Sequence, residues 1–312
     1  MTSAGRRGEA LPLGNFRYDP PMSDIVILTP NPEDPSFAGQ WPQVRDRLIA
    51  AFAAGGLDAR SEAWTDHIEA ADGLASADLI MPLVAWGYHR DHVRWMKACA
   101  TWQAAGLPMM NPAPVLAWNS DKSYLKRLGE AGLPVPPTLW SEQVTADQVA
   151  DAFDTLGADE LVIKPRVSGG GWQTTRLARG EALTETPEGP ALIQPFIAAL
   201  ETEGELSLLV FGGRFSHAVR KRPRAGEFRI QQQFGGLYAP EPDPDPVALE
   251  LARQVLATVK EELLYARIDL ARGADGQWLL METELIEPDF YLNHAPDGGQ
   301  AFVAAVADYL NR

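Results

Sequence analysis

The C-terminal stretch YARIDLARGADGQWLLMETELIEPDF, residues 265–290, is the most informative part of this chain. Two β-patterned runs flank Asp275-Gly276, the dipeptide that favours a two-residue hairpin loop. With such a loop Ala274 pairs with Gln277, and counting back sets Asp269 directly opposite Glu282. The two-residue period of a strand then puts Glu284 on the same face. Like charges opposed across a ladder are unfavourable, so three carboxylates grouped this way ask for a cation among them. Oxygen ligands without His or Cys point to Mg²⁺ or Mn²⁺ rather than zinc. The plain alternative is a row of solvent-facing charges, yet WLLMETELI (278–286) is very apolar for a strand wholly in water.

Upstream, LVIKPRVSGGGWQTTRL (161–177) ends a β-branched run on Lys164, stops it at Pro165, and follows with Gly169, Gly170 and Gly171. Backbone without side chains can reach positive φ and turn its amides toward an anion. A hairpin turn with a snorkelling lysine is the competing reading of this stretch alone. Beside a carboxylate-held divalent ion, however, a strand-end lysine and a glycine loop are the parts that position a nucleoside triphosphate.

The rest of the chain sets bounds. Its 312 residues suffice for two or three modest domains. A net charge of −15 argues against nucleic-acid binding, which needs a basic surface. The lone cysteine, Cys99, excludes an internal disulfide and lies in a helical pattern, as a core thiol would. No run approaches the roughly 18 apolar residues of a membrane span, and no secretory h-region is present, so a cytoplasmic protein is expected. Residues 1–22 read as an arm, disordered or left by cloning, with Met22 just before the first strand. Strand and helix patterns alternate over 23–118, implying a parallel sheet with ligand loops at the strand C-termini, NPEDPS (31–36) and WGYH (86–89) among them. Residues 119–195 and 196–312 read as second and third units, with APEPDPDP (239–246) a loop. His89-Arg90-Asp91 imitates a kinase catalytic loop, but Met96 stands where the asparagine is required. His67, His89 and His92 are too scattered for a zinc site.

The order of these parts resembles the ATP-grasp superfamily, in the branch of D-alanine-D-alanine ligase, glutathione synthetase and the ribosomal-protein glutamate ligase, over residues 111–295. The resemblance implies a mixed α/β (α+β) fold: an N-terminal parallel-sheet domain, then two sheet-based subdomains gripping ATP. DKSYLKRLGEAGLPVPPT resembles the helix bearing the first nucleotide lysine, here Lys122, and LVIKP supplies the second, Lys164. VSGGGWQT, with Ser168 to Gly171, is similar to the mobile loop over the phosphates. LIQPFI resembles the segment whose backbone meets adenine, which implies Gln194 and Phe196 there, with Pro195 in place of a frequent glutamate, and Met281 is counted with the nucleotide-binding residues. Glu205 falls where a ribose-binding acid is found, and Arg229 in GEFRIQQQFGG where an arginine meets the transferring phosphate. Asp269, Glu282 and Glu284 fall on metal-ligand positions, Glu284 where many relatives carry asparagine.

The resemblance implies ligation of a small-molecule carboxylate to an amine through an acylphosphate, with ATP and Mg²⁺ (or Mn²⁺) as cofactors. ETEGELSLLVFGGRFSHAVRKRP and ELIEPDFYL look most like the ligases of cycloserine formation, which close a ring on a small amino-acid derivative. Arg220, Lys221 and Arg222 are expected near the γ-phosphate or the substrate carboxylate, or else in solvent. Relatives are often dimers, so a homodimer is an expectation. Three alternatives stand beside this one: a small-molecule kinase of the same fold, a ligase extending a protein or peptide C-terminus, and a nucleotide-binding partner without turnover.

Overall fold

The computed structural model describes residues 23–33 and 40–312. The arm 1–22 and part of the 31–36 loop lie outside that range. Three sheets follow one another along the chain. The first is parallel, with strands β1 (Asp24–Thr29), β2 (Asp58–Ala63) and β3 (Leu79–Met81) in the order β2-β1-β3. Ile25 to Leu28 are wholly buried, as in a parallel strand covered on both faces. In the apolar run ADLIMPLVAW (77–86) only Leu79–Met81 is strand; Pro82 ends it. The helix Trp41–Ala54 carries Pro42 in its first turn, where a missing N–H is harmless, and stops at Gly55-Gly56.

The second sheet is antiparallel, with β4 (Leu139–Ser141), β5 (Glu160–Pro165), β6 (Thr175–Ala178) and β7 (Ala191–Pro195) in the order β4-β7-β5-β6. Alternation sends Leu161, Ile163 and Ile193 onto the helix Ala146–Thr155, while Val162, Lys164 and Gln194 line a cavity on the other face. The third sheet holds β8 (Glu205–Phe211), β9 (Arg214–Arg222), β10 (Leu237–Pro240), β11 (Tyr265–Arg272) and β12 (Trp278–Glu284), ordered β10-β9-β8-β11-β12. Ala239 and Pro240, expected in a loop, belong to β10, an edge strand where proline costs little. Leu206, Leu208, Leu270 and Leu280 pack against the helices Tyr124–Glu130 and Pro246–Ala257. The opposite face of this sheet is polar where it meets the cavity and apolar farther along, where Leu209, Phe211 and Val219 share a core with Ile25, Phe52 and Phe302. The N-terminal unit and the C-terminal helix Gln300–Leu310 are thereby packed into the third sheet. Among the described residues no helix is long and apolar enough to cross a membrane.

The hairpin between β11 and β12 departs from the two-residue loop expected of Asp275-Gly276. Gly273 N–H donates to Gln277 O, Gly276 N–H donates to Gly273 O, and Gly276 has φ +77°, which makes a three-residue loop over Ala274 to Gly276. That alone would oppose Asp269 to Met281. A bulge between Asp269 and Leu270 adds one residue to β12 and restores the Asp269↔Glu282 pair. Two one-residue shifts cancel, and Met281 becomes the extra residue.

Two asparagines on the helix approach fasten this hairpin. Asn111, wholly buried, donates to Tyr265 O (2.9 Å) and Leu285 O (2.8 Å) and accepts from Leu264 N–H (2.9 Å). Asn119 donates to Thr283 O (2.8 Å) and accepts from Leu285 N–H (2.9 Å). Replacing Asn111 by alanine would orphan three buried backbone groups at about 1–3 kcal/mol each. Asn111→Ala should therefore lower the urea-unfolding free energy by about 3 kcal/mol or more, and an unchanged midpoint would contradict this role.

Candidate active site

The second and third sheets face each other across a cavity of about 450 Å³, which the N-terminal unit also lines through Trp86 to His89. On the third sheet, strand alternation aims one ionic row into this space. Lys221 on β9 pairs with Glu205 on β8 (2.5 Å) and with Asp269 on β11 (3.2 Å). Asp269, 2% exposed, also accepts from Ser207 Oγ (2.5 Å) and from the Arg267 guanidinium (3.0 Å). Arg267 reaches across to Glu284 on β12 as well. Glu282, a third exposed, pairs with Lys122 at 3.0 Å.

The carboxylates of Asp269, Glu282 and Glu284 offer ligand oxygens within 4.8 Å of one another. That donor set can hold a hard divalent cation such as Mg²⁺. It does not lack cations of its own, contrary to the expectation from charge repulsion: Lys221, Arg267 and Lys122 already neutralise it. The surroundings split the acids. Arg267 and Lys221 overcome burial and draw the Asp269 carboxyl down, whereas burial beside Glu282 and Asp269 pushes Glu284 up. Burial also raises Glu205 despite its contact with Lys221.

The second sheet supplies the facing wall. Lys164 lines the cavity from the end of β5, and burial lowers its ammonium while Glu282 opposes that effect. Lys122, just before the helix Tyr124–Glu130, donates to Ser168 O at 2.8 Å, so one cation joins the start of the glycine loop to the acidic row. Gly169 passes so close to His89 that a Cβ would lie 3.0 Å from its Nδ1. Gly170 has φ +59°, and its carbonyl accepts from Gln233 Nε2 at 2.9 Å. The loop is thus drawn against both neighbouring units. Gln194 donates to Thr138 Oγ1 (2.8 Å), and Phe196 lies under the Arg176 guanidinium. Both line the cavity with Met281. Arg229 lines it too, held by Glu227 (2.9 Å) and stacked on Phe234; that contact pulls the Glu227 carboxyl down to about 2.

Of the basic run on β9, only Lys221 enters the cavity. Arg220 lies on the opposite face, paired with Glu241 (3.0 Å) near the Trp278 ring, and Arg222 is exposed. Adjacent residues of a strand point to opposite faces, so the run could not have served as a unit. Arg267 had a signal in the sequence, because it alternates with Asp269 and must share its face. Arg47, Tyr88, His89 and Glu287 had none, since only tertiary packing brings them to the cavity.

No family model matches the chain. It is 29% identical to the cycloserine biosynthesis protein DcsG of Streptomyces lavendulae over 227 residues, 65% of this chain and 73% of that protein. The crystal structure of the D-cycloserine synthetase DcsG superposes with a TM-score of 0.76 at 23% identity, covering 92% of this chain and all of that one. D-alanine–D-alanine ligase from Bacillus anthracis, complexed with ATP, superposes with a TM-score of 0.64 at 18% identity over 91% of this chain and 95% of that one. The fold is that of the ATP-grasp ligases, and the likeness to DcsG in sequence and structure supports a carbon–nitrogen bond-forming enzyme that uses ATP and Mg²⁺.

His89 provides a pH test of the contact between the N-terminal unit and the glycine loop. Burial, with Arg90 and Lys122 nearby, lowers its imidazolium to about 4, against about 6.5 in an unfolded chain. Between those values the unfolded chain binds a proton that the folded one refuses, so stability falls as pH drops through this window. The His89 contribution to that loss between pH 7 and 4.5 should be about 2 kcal/mol. His89→Asn should flatten the dependence of the urea midpoint on pH by that amount, and an unchanged slope would contradict the assignment.

Proposed function

We propose that the enzyme joins the carboxylate and the amine of a small amino-acid-like substrate through an acylphosphate, closing a ring when both groups belong to one molecule. The carrying observation is the convergence of Lys122, Lys164, the glycine loop, Arg229 and the three carboxylates on one cavity. The similarity to DcsG supports the choice of substrate class and of ring closure.

In this reading the cavity floor between Val162 and Met281 takes the adenine and Glu205 lies on the ribose side. Lys122 and Lys164 neutralise the β- and γ-phosphates, and the amides of residues 169–171 cover them. Asp269, Glu282 and Glu284 would hold a divalent ion, which would offset the charge of the phosphates. Arg229, Arg267 and Lys221 stabilise the negative charge on the transferring phosphoryl group and the acyl oxygen. The amine then attacks the acyl carbon, its lone pair forming the C–N bond as the C–O bond to phosphate breaks. Phosphate leaves with that electron pair, and the amine proton passes to solvent. No protein nucleophile is required.

A ligase releases ADP and orthophosphate in equal amounts, and only when the amine is present. A phosphotransferase leaves the phosphoryl group on its product. Amine-independent ADP formation without free phosphate would overturn the proposal. Glu282→Gln should lower turnover at least about 100-fold by removing one charged ligand. It should not raise stability, because Glu282 is paired with Lys122 and the change removes an attraction rather than a repulsion. Normal turnover in this variant would remove the metal site from the reading.

A further inference from the structure

The acids that line the cavity are Glu205, Asp269, Glu282, Glu284, Glu287 and Asp289. Four are matched by cations, as the ionic row shows: Glu205 and Asp269 by Lys221, Glu284 by Arg267, and Glu282 by Lys122. Asp289 forms the turn after the hairpin, its carboxylate accepting from Tyr291 N–H at 2.9 Å. Glu287 is the exception. It has no ion pair and no side-chain hydrogen bond to another residue among the described residues, although it sits in the wall of a cavity crowded with charge.

Its position is imposed rather than loose. Leu285 and Ile286 just before it are almost wholly buried, Leu285 N–H is held by Asn119, and Ile286 O accepts from Tyr265 OH at 2.8 Å. Pro288 follows and restricts the backbone. The backbone at Glu287 is therefore held in place by its neighbours. The acid stands near Glu282 and Glu284 of the metal-side row and near the buried Tyr88 of the N-terminal unit. Glu287 is half-buried, and a carboxylate partly withdrawn from water without a partner gains when a cation arrives to meet it. The same burial, together with Glu284 and Glu282 nearby, pushes its carboxyl well above the usual range.

We infer that Glu287 is a specificity-determining residue whose carboxylate receives the ammonium group of an amino-acid-like substrate. The inference rests on the ligase reading above. Phosphates and a divalent ion are served by the paired row, and Glu287 is left for a positive group that the protein does not provide. A neutral or anionic substrate would leave it unmatched.

The test uses the full chain, wild type and Glu287→Gln, with Mg²⁺ and a non-hydrolysable ATP analogue. Each protein is titrated calorimetrically with a panel of D- and L-amino acids and with the matching acids in which hydrogen replaces the ammonium group. Wild type should bind at least one amino acid about 10-fold or more tighter than its deaminated counterpart. Glu287→Gln should weaken that amino acid by about 100-fold, as expected when one partner of a desolvated charge pair is removed. It should leave the deaminated acid and the ATP analogue unchanged. A preference that survives in the variant, equal weakening of both ligands, or no preference in wild type would each overturn the assignment. Failure of wild type to bind the ATP analogue would overturn the ligase reading and this inference with it. The remaining outcomes bear on Glu287 alone.

Discussion

The site depends on a row of alternating charges laid across one face of the third sheet: Lys221 on β9, Glu205 on β8, Arg267 and Asp269 on β11, and Glu284 on β12. Taking such groups out of water is expensive, several kcal/mol per ion even after relaxation. They are tolerable only as a set, because each is satisfied by the next. Removing Lys221 leaves Glu205 without its cation, and removing Arg267 leaves Glu284 without its own. A sheet suits this arrangement because neighbouring strands lie about 4.8 Å apart, within reach of long side chains from strand to strand.

The consequence is preorganisation. A nucleotide and its metal arrive at dipoles and charges already oriented by their own pairings, so little reorganisation remains for the moment of reaction. Arg267 illustrates the balance. It holds Asp269 and Glu284 and also donates to Asp289 O, so the residue that neutralises the acids also fixes the turn after the hairpin. The facing wall is organised differently. Lys122 bridges the glycine loop and Glu282, while Gln233 and His89 meet the loop from the other two units. Contacts of this kind couple loop position to the packing of all three units.

Much of the fold was legible because period-two and period-3.6 patterns are written residue by residue. LVIKP and GELSLLV read as strands, and both are. The Asp269↔Glu282 pairing was also reached, though through a two-residue turn that does not occur. A three-residue loop and a bulge at Met281 give the same register. Loop length and bulges depend on how the hairpin must twist to cover its helices, which no dipeptide specifies. The basic run 220–222 shows the reverse error: three adjacent cations look like one feature in sequence, yet alternation separates them onto two faces.

The sequence by itself determined the order of parts, a strand-end lysine, a glycine loop and an acidic hairpin, because each is set by backbone needs a few residues long. It also determined which residues could share a face of a strand. Only the tertiary structure decided which charges neutralise one another, since Lys122 and Glu282 are far apart in the chain and meet only when the helix Tyr124–Glu130 packs on the third sheet. It likewise decided that, among the described residues, the cavity acid Glu287 has no cationic partner. Pairing is a property of distance in space, and burial sets how much each pairing matters.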